Sequence, residues 1–325
     1  MQAAQLHHIR ILPHIRRALD AGTPVVALES SVLAQGLPEP HNADAARRMA
    51  GAIEAANGVP AITAVVCGTP TLGLDPKELD RFLRREGIRK VSARDLGPAI
   101  AQRADGATTV AAAIAIASRA GVRVFATGGI GGVHRVFPEA AQASWVRDES
   151  ADLNEMAHTP MIVVCAGAKS VLDLPATWER LDTLGILVVG VGTDEFPGFY
   201  TMKTGIPLTV SVGSVEQVAE IAAAHFALGR TQSVLVVQPP PANVALDGKL
   251  VEQAVQAALE RAGREGVRGG DVTPYLLAAV SRETGGRTLE TNLGLLEANA
   301  RLAARIAAAL TAADLGPWAG RADRA

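Results

Sequence analysis

Lys169 stands near the end of VVCAGAKS, delivered by an apolar run through a turn of small residues. A lysine placed there can be desolvated. A desolvated amine, or one beside a second cation, loses proton affinity and can attack a sugar aldehyde or its hemiacetal carbon. The competing reading is a lysine snorkelling to water beside a turn, the commoner fate of a single lysine. Glu29, in ALESSVLAQGLP, also follows an apolar run. Its carboxylate could serve as a general acid or base, or could hold a loop amide.

Other segments suit anions and cations. TGGIGGVHR offers four glycines through which backbone can approach an anion. It does not fit the dinucleotide pattern G-x-G-x-x-G, because His134 stands where Gly129 and Gly131 would require a third glycine. GATTVAAAIA places Thr108 and Thr109 at a helix start, where amides and hydroxyls hold phosphate or simply cap the helix. RDESADLNE gathers Asp148, Glu149, Asp152 and Glu155. That is a hard-oxygen cluster suited to Mg²⁺ or Mn²⁺, or an exposed acidic helix start.

These residues need a scaffold that brings them together. Strands are expected at 25–28, 62–67, 122–126, 161–165, 187–191 and 234–237, with a weaker one at 209–212. Helices are expected at 43–56, with Asn42 as N-cap, and at 109–119, 214–228, 251–262 and 289–312. Alternation of this kind predicts an α/β layered fold. If the strands are parallel, the turns carrying Glu29, Thr127 and Lys169 open on one sheet edge, where α/β proteins hold ligands. The Pro239–Pro241 run marks a rigid turn that could set a C-terminal helical portion apart from the sheet.

The 325 residues are expected to form one domain over 1–315 with a loose tail at 316–325. Apolar residues at 48% supply a core, and 31 Lys plus Arg against 33 Asp plus Glu leave no basic field for a nucleic-acid polymer. Cys67 and Cys165 lie in apolar runs and read as core thiols in a reducing compartment. With no signal-peptide core and no apolar stretch of about 18 residues, the expected location is cytoplasmic, away from membranes.

The segments ALESSVLAQGLPEPHN, GVPAITAVV, KVSARDL, GATTVAAAIAIA, VFATGGIGGVHR, SADLNE, VVCAGAKSVLDLPAT, GVGTDEFPGFY and TNLGLLEANA occur in order between about residues 20 and 305. Together they resemble the pseudouridine-5'-phosphate glycosidase, or indigoidine synthase A-like, family. The resemblance implies a three-layer α/β/α fold with a mixed, largely parallel sheet, a homotrimer, Mn²⁺ or another divalent cation, and reversible cleavage of pseudouridine 5'-phosphate to uracil and ribose 5-phosphate. It implies Lys169 as nucleophile, Glu29 as proton donor and Asp148 as metal ligand. It also implies Lys90, Val110, Ser150, Ala151 and Asp152 as nucleotide contacts, with Thr127, His134 and Asn292 as further members.

Arg135 is a phosphate candidate by charge, and Lys90 a cation that would help keep Lys169 neutral. The chain departs from the family in a longer connection between Arg135 and Asp148 and in Arg147-Asp148-Glu149 before Ser-Ala-Asp, so Glu149 could share the metal. A Schiff-base aldolase for a sugar phosphate and a phosphosugar-binding regulator are the rival functions.

Overall fold

Runs of aliphatic residues with no polar face are stable only where both sides of a strand are covered, and here they form the middle of the sheet. In the computed structural model, residues 9–135, 148–267 and 272–313 are described. Among them, eleven strands share one sheet: β1 (Arg10–Ile11), β2 (Val25–Leu28), β3 (Val59–Val66), β4 (Thr69–Leu72), β5 (Arg89–Val91), β6 (Gly106–Thr108), β7 (Val124–Ala126), β8 (Ile162–Cys165), β9 (Leu187–Val191), β10 (Ser211–Val212) and β11 (Val234–Val237). The order is β1-β4-β3-β2-β7-β8-β11-β9-β10, with β6 pairing β3 and β5 pairing β6.

Every ladder from β3 to β10 along that path is parallel. The antiparallel pairs are β3 with β4 and β3 with β6. The long β3 serves both: residues 59–62 lie against β2, and residues 63–66 against β4. All four residues of β2, β8 and β11 are buried.

The helices are α1 (Pro13–Asp20), α2 (His41–Glu54), α3 (Pro76–Leu83), α4 (Leu96–Ala101), α5 (Val110–Arg119), α6 (Ala151–Met156), α7 (Leu174–Thr183), α8 (Val215–Ala227), α9 (Gly248–Arg264), α10 (Val272–Glu283) and α11 (Arg287–Ala312). On one face α11 lies across β2, β7 and β8, with α2 and α8 against it; on the other, α5 packs on β2 and β3 with α6 beside it. The layers are therefore α/β/α around a mixed, mostly parallel sheet. The inward stripe of α11, Leu295, Leu296, Asn299, Leu302, Ala303, Ile306 and Leu310, recurs every three or four residues as one helix face requires.

Several expectations change. β3 starts at Val59 and stops before Cys67, which is exposed at φ +49° in the reversal to β4, so this cysteine is no core thiol. Thr108 ends β6 instead of opening a helix. Asn42 lies inside α2, not at its cap, and donates to the carbonyls of Leu33 and Leu83. The segment at 209–212 contributes two strand residues, Ser211 and Val212. After the proline run the chain does not leave the sheet, because α11 returns to pack on it. The tail at 316–325, and residues 136–147 of the longer connection, lie outside the described residues. Among the described residues no helix is long and apolar enough to cross a membrane.

Candidate active site

Because β2, β7 and β8 are parallel neighbours, their C-terminal turns stand side by side. Glu29 follows β2, Thr127 follows β7, and Lys169 lies four residues after β8. The carboxylate of Glu29 is buried and ties two turns together: its Oε1 accepts from Thr127 Oγ1 at 2.5 Å, and its Oε2 accepts from Ser31 Oγ. The next two turns are zipped by backbone. Ala166 N–H donates to Gly128 O (2.9 Å), Ile130 N–H to Gly167 O (3.1 Å) and Lys169 N–H to Ile130 O (3.1 Å). Gly167, at φ +83°, is required here, since a Cβ would stand 2.0 Å from the Pro197 carbonyl oxygen.

A cavity of about 980 Å³ opens over these turns. Glu29, Lys90, Val110, Thr127, His134, Asp148, Ser150, Ala151, Asp152, Lys169 and Asn292 all line it, so the fold brings every residue of the expected site to one place. Lys169 is half-buried, whereas Lys90 and Asp148 are exposed at the wall.

One end of the cavity suits an anion. Thr109 is the N-cap of α5, yet its hydroxyl makes no capping bond. Asp152 does that work from another element: its Oδ1 accepts from Ala111 N–H and its Oδ2 from Gly131 N–H, each at 2.9 Å. Thr109 Oγ1 is left buried on the cavity wall with no partner among the described residues. Thr109 N–H donates to Val91 O, which sets Lys90 beside this helix start. A helix N-terminus with a neighbouring cation attracts negative charge.

The acidic run does not converge. Glu149 pairs with Arg180 at 2.9 Å, Glu155 accepts from Thr159 at 2.6 Å, and Asp152 is held by amides. Among the described residues no three His, Cys, Asp or Glu side chains gather as a metal cluster. Asp148 nonetheless faces the cavity, and its main-chain oxygen receives the His134 amide at 2.8 Å. Burial holds the His134 imidazole below its ordinary range, and Lys169 and Lys90 add to this while Asp148 opposes it. Behind the Lys169 turn, burial pushes the Cys165 thiol up to about 12.

Arg135 does not line the cavity. Its guanidinium is committed to Glu252 and to the carbonyls of Ser170 and Leu172, so it is not a phosphate ligand. Other members were not evident from sequence. Ser31 was legible only as the second residue after Glu29. Asn299 donates through Nδ2 to Thr127 O at 2.8 Å and so anchors the central turn from α11. The face of α10 carrying Thr273, Leu277 and Ser281 roofs the cavity, and VTPYLLAAVSRE has no feature that announces this.

The chain matches the family model described as indigoidine synthase A like protein over residues 14–309. It is 59% identical over 293 residues to a pseudouridine-5'-phosphate glycosidase of Gemmatimonas aurantiaca, covering 90% of this chain and 93% of the relative. It is 48% identical over 302 residues to one from Myxococcus xanthus, covering 93% and 98%. Among solved structures, the prealnumycin C-glycosynthase AlnA in complex with ribulose 5-phosphate superposes with a TM-score of 0.85 at 38% identity, over 94% of this chain and 98% of that one. An indigoidine synthase A-like protein from Thermotoga maritima gives 0.85 at 32% identity, over 96% and 99%.

Proposed function

The chain belongs to the indigoidine synthase A-like family, and from that premise we propose that it cleaves the carbon–carbon glycosidic bond of pseudouridine 5'-phosphate to uracil and ribose 5-phosphate, reversibly. The observation that carries the reading is the meeting of Lys169 and Glu29 in one cavity that also has an anion-seeking helix start beside Lys90.

The bond dictates the chemistry. In ordinary glycosides the leaving atom accepts the bonding pair readily, and two carboxylates suffice. A carbon leaving group needs another route. Lys169 Nζ forms a bond to C1' as the ring C1'–O4' bond breaks, and O4' takes a proton. The uracil carbon C5 is then protonated, and the C1'–C5 bond breaks with its electron pair going to C5. The nitrogen lone pair forms a C1'=N iminium. Water hydrolyses this link, releasing ribose 5-phosphate and the free amine. Glu29, fixed by Thr127 and Ser31, is the proton carrier.

Lys90, Thr109 and the amide of Val110 would receive the phosphate, with Asp152 and Ser150 shaping that end from behind. Thr127 and Asn292 would face the base. Asp148 alone suits a hydrated hard cation such as Mn²⁺, whose remaining positions would be filled by water and phosphate. When bound, such an ion neutralises and orients the phosphate. A homotrimer in the cytoplasm completes the proposal, and light scattering of the purified chain tests the assembly.

Incubation with pseudouridine 5'-phosphate and Mn²⁺ should release uracil, while unphosphorylated pseudouridine should not react. Borohydride trapping with ribose 5-phosphate should mark Lys169. Sugar-phosphate turnover without uracil release would indicate an aldolase instead.

A further inference from the structure

Arg135 directly follows a cavity residue but spends its guanidinium elsewhere. Nε donates to Leu172 O at 3.0 Å, and Nη2 donates to Ser170 O at 3.3 Å. Nη1 and Nη2 also reach the two carboxylate oxygens of Glu252 at 2.6 and 2.9 Å. Four of its five N–H donors are thus engaged. The Arg135 side chain is 17% exposed and that of Glu252 51%, so the two carbonyl contacts are the sheltered part of the arrangement and the ion pair faces water, where its strength comes from bidentate geometry.

The partners explain the arrangement. Ser170 adjoins Lys169, and Leu172 N–H donates back to the Lys169 carbonyl at 3.0 Å, so the guanidinium grips two carbonyls of the nucleophile's own turn. Glu252 lies on α9, whose principal neighbour is α10, the helix that roofs the cavity. Arg261 and Glu283 join the same two helices at 2.8 Å.

We propose that Arg135 is a positioning residue for Lys169, and that through Glu252 it fastens the α9–α10 pair to the turn that carries the nucleophile. This rests on the reading that Lys169 attacks the sugar. A flat, forked cation holds all three partners at once, which a lysine ammonium cannot do with the same geometry. The fastening couples a closed roof to a correctly placed amine, and a displacement of about 1 Å at a reacting atom costs on the order of a hundredfold in rate.

The test uses the full chain with pseudouridine 5'-phosphate, comparing R135A, R135K, E252Q and the double variant R135A/E252Q. R135A should lower kcat by at least about tenfold with KM changed less than about threefold, and R135K should restore only part of the loss. E252Q should cost about two- to threefold in kcat, and adding it to R135A should cost nothing more. Amide hydrogen exchange should speed up in both 168–173 and α10 in either single variant.

A kcat for R135A within twofold of the wild type overturns the proposal. So does a tenfold rise in KM at unchanged kcat, which would make Arg135 a ligand for substrate. Should R135A not fold, E252Q decides: unchanged exchange at 168–173 overturns the coupling. If the wild-type chain releases no uracil, the functional reading fails, while exchange in the same variants still reports whether the fastening exists.

Discussion

The floor and the rim of the cavity are built differently. On the floor, Glu29, Thr127 and Lys169 leave three adjacent parallel strands; the first two turns are joined through the Glu29 side chain and the last two by backbone hydrogen bonds. On the rim, Lys90 projects from the three-residue β5, Asp148 sits in an exposed loop, and α10 leans over from the far end of the chain. On the proposed function, the difference follows from what each would have to do. Bond making and breaking need atoms fixed within a fraction of an ångström, whereas attraction between charges falls slowly with distance and tolerates movement.

The comparison is broken most directly at the floor. Lys169→Ala should reduce uracil release by a thousandfold or more, on the order of the losses seen when a covalent nucleophile is removed. Glu29→Gln retains the shape and should lower kcat by roughly 10²–10⁴, the range for a general acid–base. If either variant kept near-full activity, the floor would not be where the chemistry happens.

The rim should respond in another parameter. Lys90→Ala should raise KM for the phosphorylated substrate by about tenfold, with kcat within a few-fold, the loss expected of one charge-assisted contact. An equal fall in kcat would erase the distinction between floor and rim.

The smallest expected effect is on pH dependence. His134 is held below its ordinary value near 6.5, so the unfolded chain binds more protons just below that pH. Stability should therefore decline as pH falls from 6.5 toward the lowered folded value and be unaffected above. His225, also lowered by burial, acts in the same direction. His134→Asn should flatten, without abolishing, the slope of denaturant-midpoint stability against pH in that window.

The floor was more legible in the sequence than the rim. Uninterrupted runs such as VVAL and IVVC can hardly be anything but buried strands, and small residues with one lysine or glutamate after them mark the turns. The short strands TPTL, RKV and GAT were not legible, because three or four residues with mixed polarity carry no period. Arg135 was misjudged for a related reason: charge suggests a phosphate, but Glu252, 117 positions away, takes it first. Asp152 as a cap for α5 was likewise invisible, since its partners at 111 and 131 become neighbours only after folding.

Asn292 and Asn299 are two helical turns apart on α11, one on the cavity wall and the other holding the turn at Thr127. During synthesis Glu29 leaves the ribosome before this helix, which emerges last among the described elements. Until it docks, the Thr127 turn lacks its anchor and β2, β7 and β8 lack cover on one face. A chain in which this helix has not yet docked therefore holds an incomplete cavity, its floor already synthesised but its central turn unanchored.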